Sequence, residues 1–236
     1  MSLSVEQIGE RRREVLARIA RAAERAGRDP SGVSLLAVTK SHPAETVRRA
    51  ALAGMTLFGE NRVAEGAGKI QALRQEFPGL QWRLIGPLQT NKAKPALQYF
   101  SVIESLDRER LAARLEGLLA AEQRVFPVLL EVNLGAEATK SGAMPEQVGT
   151  LAESALACPH LEVRGLMAVP PFAEDPEGAR PYFQQLREIR DRLAGRFGKP
   201  LAELSMGMSH DFEIAVEEGA TEVRVGTDLF GPRPEQ

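Results

Sequence analysis

The runs FPVLLEV at 126–132, PEQVGTLAESALA at 145–157 and EVRGLMAV at 162–169, followed by an amphipathic stretch at 178–196 and AELS at 202–205, decide the fold. The first, third and last are apolar pieces of strand length. The second and fourth carry apolar residues at helical spacing. A buried strand, a helix and another buried strand in succession is the pattern of parallel strands joined by crossover helices. Working outward, the same unit recurs. Strand-like runs lie at 33–38, 56–59, 81–85 and 101–103 on one side and 222–225 on the other. Helix-like stretches lie at 43–53, 62–76, 91–97, 108–121 and 211–218. Eight such runs, each followed by a helix except the last, predict an α/β fold: a closed (β/α)₈ TIM barrel forming a single domain over residues 1–236. A doubly wound open sheet is the competing arrangement. Residues 4–26 predict an extra N-terminal helix with Val5, Ile8, Val15, Leu16, Ile19 and Ala23 near one face, stopped by Gly27 and by Asp29-Pro30.

Composition narrows the class. Thirty basic residues against thirty-two acidic ones leave a formal charge of −2, whereas a dedicated nucleic-acid binder is more basic. Apolar runs such as 128–130 are far too short to span a bilayer, and the N-terminus has no secretory pattern. Cys158 is the sole cysteine, so an internal disulfide is excluded. The chain is expected to be cytoplasmic, with no nucleic-acid or membrane partner.

In such barrels the chemistry sits where strands end and loops begin. The first run ends Ala37-Val38-Thr39-Lys40. Lys40 has two readings: a side chain snorkelling to solvent at the rim, or an amine that forms a Schiff base. Asn61 follows the second run and either caps the next helix or hydrogen-bonds at the rim. The third run leads into Ile85-Gly86-Pro87-Leu88-Gln89-Thr90-Asn91-Lys92, a turn with several polar groups. The seventh run leads into Ser205-Met206-Gly207-Met208-Ser209-His210-Asp211, and the eighth into Arg224-Val225-Gly226-Thr227. Small and hydroxylic residues before a helix start make an anion cradle, and barrels commonly bind phosphate at these two loops. Either loop alone reads equally as a capped turn. By strand alternation Arg224 and Gly226 share a face, so Arg224 needs an acceptor in the barrel: a rim carboxylate, or a heteroaromatic nitrogen of a ligand. An amine, an anion cradle and an arginine on one rim match the aldehyde, phosphate and ring nitrogen of pyridoxal phosphate. Other patterns fail. Gly66-Ala67-Gly68-Lys69 lacks the glycine and hydroxyl of a P-loop, and His42, His160 and His210 show no metal-ligand spacing.

These motifs, with Phe58-Gly59-Glu60-Asn61, Lys140-Ser141-Gly142, Gly165-Leu166-Met167 and Phe230-Gly231, run nearly the whole chain. Together they resemble the pyridoxal phosphate homeostasis proteins, single-domain relatives of the barrel half of alanine racemase. The resemblance implies a fold-type III barrel in which Lys40 carries the cofactor as an internal aldimine. It implies that Ser205, Ser209, Gly226 and Thr227 hold the phosphate, that Arg224 faces the ring nitrogen, and that Asn61 and Met167 line the ring. It also implies a non-catalytic protein that buffers or delivers pyridoxal phosphate, with apo forms of cofactor-dependent enzymes as partners and influence on amino-acid and keto-acid pools. One loop departs from the pattern: Arg83 and Pro87 stand where the family's histidines are expected. Lys140 is a second amine ranked below Lys40.

A guanidinium at the ring nitrogen keeps that nitrogen unprotonated and weakens the ring as an electron sink. Racemases of the related two-domain kind bring a tyrosine as second base from another domain. Here Tyr99 and Tyr182 fall in or beside barrel helices, and the chain ends about ten residues after the eighth run, where no such domain is expected. The missing dimer-building domain also makes a monomer the expectation. The alternatives are a weak racemase or lyase using His42 or His210 as base, and a barrel enzyme in which Lys40 binds a phosphorylated substrate.

Overall fold

The computed structural model describes residues 3–137 and 140–232. Ser4 opens α1 (Val5–Arg25) with a capping box to Gln7, and Gly27 leaves the helix at a positive φ of 65°. Then β1 (Ser34–Val38), β2 (Leu57–Glu60), β3 (Gln81–Leu84), β4 (Val102–Leu106), β5 (Phe126–Val132), β6 (Leu161–Ala168), β7 (Glu203–Met208) and β8 (Glu222–Val225) follow in order. They alternate with α2 (Ala44–Leu52), α3 (Val63–Leu73), α4 (Ala93–Tyr99), α5 (Glu109–Glu122), α6 (Val148–Leu156), α7 (Arg180–Phe197) and α8 (Phe212–Glu217). A last turn of helix, α9 (Thr227–Phe230), follows β8. The strands pair in parallel and in sequence, and β1 pairs back to β8 with Leu36 opposite Arg224, so the sheet closes into a barrel. The closed barrel is the predicted fold, and the open doubly wound sheet is ruled out.

Period-2 alternation sorts the strands into two faces. Phe58, Leu84, Ile103, Leu130, Leu166, Leu204 and Val223 point outward and pack under the helices in one continuous core. α1 adds Ile8, Val15, Ile19, Ala22 and Ala23 to that core, and Arg18 ties it to α8 and α9 through Glu213 and Asp228. The GAGK stretch lies inside α3 and forms no phosphate loop.

The inward face is where the structure departs from an ordinary barrel filled with branched apolar side chains. Arg83 on β3 reaches Glu203 at 2.8 Å, Glu222 at 3.1 Å and Glu104 at 3.5 Å. Burial disfavours its charge, but the three carboxylates outweigh that and raise its pKa. Burial, and then the Glu104 charge, push Glu222 well above the usual carboxylate range. Ser205 Oγ lies 2.6 Å from Glu104 Oε2 and 3.0 Å from Glu222 Oε1, and accepts from Arg224 Nη1 at 2.7 Å. This network explains two misplaced strand ends. The fourth run looked finished at residue 103 and the seventh at residue 205 because polar residues follow or end them. Glu104, Ser105 and Ser205 are instead fully buried strand residues with partners, and β4 and β7 run on to Leu106 and Met208.

Glu131 on β5 belongs to the same interior. Burial, and then the Asp107 charge, push it up to about 7, while Arg224 pulls it down. An unfolded glutamate titrates near ~4.3. Its folded value is raised, so its contribution is complete below the unfolded pKa and is lost as pH rises towards 7. Glu131→Gln stays neutral throughout. Urea denaturation should therefore show this variant gaining up to about 3 kcal/mol relative to the parent between pH 4 and pH 8. Parallel stability profiles for the two proteins would refute the assignment.

Candidate functional site

A cavity of about 260 Å³ opens at the C-terminal ends of β1, β2, β7 and β8. It lies at the small end of ligand pockets, which run to roughly 300 Å³ and above. Six of the eight residues expected from sequence line it: Lys40, Asn61, Ser209, Arg224, Gly226 and Thr227. Val38, Ile85, Val169 and Met208 supply apolar wall, and His42 and His210 complete the basic side chains. Among the described residues no aspartate or glutamate is on the lining, so the cavity suits an anion.

Lys40 is set by a tight turn directly after β1, in which the His42 N–H donates to the Thr39 carbonyl at 3.0 Å. Asn61 sits at the matching position after β2. It is packed so closely on the β3 loop that a Cβ on Gly86 would come within 2.2 Å of its carbonyl oxygen. Arg224 enters the cavity from below and is 3% exposed. Its Nη1 donates to Ser205 Oγ and its Nη2 to the Ala168 carbonyl, both at 2.7 Å, so the guanidinium cannot swing.

The β7 and β8 loops are stitched together at Ser209. Its Oγ accepts from the Gly226 N–H at 3.3 Å and the Asp228 N–H at 3.4 Å. These bonds are long, and a stronger acceptor such as a phosphate oxygen would take the same donors readily. Asp211 Oδ1 holds the turn by accepting from the Met208 N–H at 2.6 Å; burial raises its pKa against that bond. His210 Nε2 lies 3.0 Å from the Ala173 carbonyl, and its ring rests 5.2 Å from the exposed Phe172 ring.

The other two expected residues, Ser205 and Met167, lie elsewhere. Both are fully buried inside the barrel and neither lines the cavity. They face each other in the β6–β7 register, one level below the rim. Because β7 extends to Met208, the hydroxyl at the loop is Ser209, and Ser205 instead steadies Arg224. On β6 the rim residue is Val169, not Met167. Val38, Ile85, Val169 and Met208 were not singled out as site residues. Their only signal is being the last inward or first loop residue of a strand, which requires the strand ends to be known.

Lys140 does not line the cavity. It pairs with Glu137 at 2.7 Å and donates to the Pro170 carbonyl at 3.4 Å. Arg83 is the structural anchor described above, and Pro87 is exposed outside the lining. Tyr99 and Tyr182 stand on α4 and α7, away from the cavity lining.

The sequence matches the model of the alanine racemase N-terminal domain over residues 12–234. It is 47% identical over 224 residues to the pyridoxal phosphate homeostasis protein of Aquifex aeolicus, covering 95% of this chain and 97% of that one. Among solved structures it is similar to PipY of Synechococcus elongatus with pyridoxal phosphate (PLP) bound, at 38% identity and a TM-score of 0.81 over 95% of this chain and all of that one. Alanine racemase from Corynebacterium glutamicum shares the fold at 18% identity and a TM-score of 0.71, over 99% of this chain and 63% of that one.

The β7 loop depends on Gly207, whose φ is +91° and whose Cβ would meet Ala215 Cβ at 2.5 Å and Phe212 Cα at 2.9 Å. Gly207→Ala should therefore lower the unfolding free energy by about 1–3 kcal/mol. Chemical denaturation checks this, and an unchanged midpoint would show that the loop is not so constrained.

Proposed function

This chain belongs to the pyridoxal phosphate homeostasis proteins of the alanine racemase N-terminal-domain family, and from that premise we propose that it binds pyridoxal 5′-phosphate without turning over a substrate. One observation carries the reading: one cavity, with no carboxylate among the described residues of its lining, gathers an amine, an arginine and a two-loop anion cradle. The residues fit the cofactor group by group. Lys40 is the amine for the aldehyde carbon. Ser209, Thr227 and the Gly226 N–H are donors for the phosphate. Val38, Ile85 and Met208 supply apolar surface for the ring, with Asn61 beside it.

When bound, the cofactor supplies an electrophilic carbon and an electron-withdrawing ring. Arg224 decides how far the ring is used. Its guanidinium is held from below by Ser205 and Ala168 and only donates, so it leaves a ring nitrogen unprotonated. Arg224 therefore favours storage over carbanion chemistry. We place the protein in the cytoplasm as a monomer that buffers PLP and passes it to apo enzymes. A rim open at Thr227 and His210, both exposed, supports handover.

A second reading has one specific support: His42 and His210 both lie on the cavity wall, where an imidazole could serve as a base. Loss of the α-deuterium from labelled alanine in the presence of the loaded protein would favour it. No exchange is expected.

Incubation of the protein with PLP should give the near-visible absorbance band of the bound cofactor. Borohydride should then fix the mass on Lys40, and Lys40→Ala should lose both signals. A band of equal strength in Lys40→Ala would overturn the assignment. The cradle makes a separate prediction. Ser209→Ala combined with Thr227→Val should weaken binding of PLP roughly tenfold or more, while leaving that of unphosphorylated pyridoxal nearly unchanged. Equal weakening of both ligands, measured by titration, would remove these residues from the phosphate site.

A further inference from the structure

The turn that carries Lys40 is held in a conformation its own sequence disfavours. Residues 39–42 close through the His42 N–H to Thr39 carbonyl bond, and Ser41 sits at the third position with φ +67°. Such a position prefers glycine, and a serine stays there only if its surroundings impose it. The surroundings are specific. The Ser41 N–H donates to Glu65 Oε1 at 2.7 Å. The Thr39 hydroxyl donates to Glu60 Oε1 at 2.6 Å. Lys69 Nζ bonds Glu60 Oε1, Glu65 Oε1 and the Thr39 carbonyl, each at 2.7 Å. Glu60 ends β2, while Glu65 and Lys69 stand one turn apart on α3. Thr39, Glu60 and Lys69 are buried. Residues 39 and 41 are thus gripped on both sides of Lys40 by one ion-paired cluster, and Lys40 between them is on the cavity lining.

We propose that Glu60, Glu65 and Lys69 form a clamp that positions Lys40 for capture of the cofactor aldehyde. The inference rests on the reading of Lys40 given above. None of the three lines the ligand cavity, so they act through the backbone and are positioning residues. Glu65 and Lys69 instead face the open groove on the other side of Lys40. An amine must meet the aldehyde carbon within a narrow range of distance and angle, and a shift of about 1 Å in such a group costs up to roughly a hundredfold in rate. A turn held only by its own preferences would relax at Ser41 and carry Lys40 with it.

The experiment follows the rate at which the bound-cofactor band appears after mixing with PLP, with borohydride fixation confirming Lys40. Glu65→Ala removes the grip on Ser41 and should slow capture roughly tenfold or more. Glu65→Gln keeps an acceptor for the Ser41 N–H and should stay within about threefold of the parent. The decisive variant is Ser41→Gly combined with Glu65→Ala, because glycine adopts a positive φ without help. It should recover most of the lost rate, which a general loss of stability would not allow. Thr39→Val, which removes the hydroxyl bond to Glu60 at the other end of the clamp, gives a second measurement should Glu65→Ala not fold, and should also slow capture several-fold. Glu177→Ala, which breaks an exposed ion pair to Arg180 that does not touch the turn, is the control and should capture at the parental rate. Parental rates in folded Glu65→Ala and Thr39→Val, or a double variant as slow as Glu65→Ala, would overturn the clamp alone. A parent that forms no band, or forms it without Lys40, would overturn the clamp together with the proposed function.

Discussion

Arg83, partly buried among Glu104, Glu203 and Glu222, makes the interaction on which the interior of this barrel depends. Taking one guanidinium and several carboxylates out of water costs several kcal/mol per ion, and the charges repay this only with close geometry and further hydrogen bonds. Here the geometry comes from barrel closure. Arg83 lies on β3, Glu104 on β4, Glu203 on β7 and Glu222 on β8, so the network spans the barrel and locks opposite walls together. Ser205 passes that order upward to Arg224, the group that meets the cavity floor. A lone Arg83 or a lone Glu222 in this interior would be prohibitive, which is why the cluster stands or falls as a unit.

The site above it divides its labour between rigid and adjustable parts. β8 places Arg224, whose backbone is held by the sheet, while Lys40 and Asn61 follow just after the ends of β1 and β2. The two loops after β7 and β8 place the anion donors, and these loops are cross-linked through Ser209. Helix α3 contributes from outside the barrel by gripping the turn at residues 39–41. Burial raises the pKa of Glu60 against the bonds it receives from Lys69 and Thr39. Burial also acts to raise Glu65, but its bonds from Lys69 and Ser41 prevail and it stays below the usual range. The helix layer is therefore part of how the amine is presented, and not only packing.

An arginine held so firmly against the barrel interior suits a protein that keeps a cofactor rather than one that drives carbanion chemistry. Storage asks for a covalent attachment point, a phosphate grip and a ring environment that discourages side reactions. One cavity brings together Lys40, the two-loop cradle and Arg224, with no acidic side chain among the described residues of its lining.

The period of the chain, eight apolar runs separated by amphipathic helices, predicted the barrel, and the pairing of β1 with β8 excluded the open sheet. The runs at 126–132 and 222–225 coincide with β5 and β8. Lys40, Arg224, Gly226 and Thr227 were legible because each lies at or just beyond a strand end, where period-2 alternation and loop composition both speak. Height within the barrel was not legible. Alternation assigns a face to Ser205 and Met167 but not a level, and a polar residue in a strand reads as its end unless a partner is known to lie across the barrel. Only the tertiary structure brings Glu104 and Glu222 to Ser205, three residues below the true end of β7, and only it brings Glu65 and Lys69 to the turn at Lys40. Those contacts join residues far apart in the chain, and their energies arise from desolvated charges whose pairing no local pattern encodes.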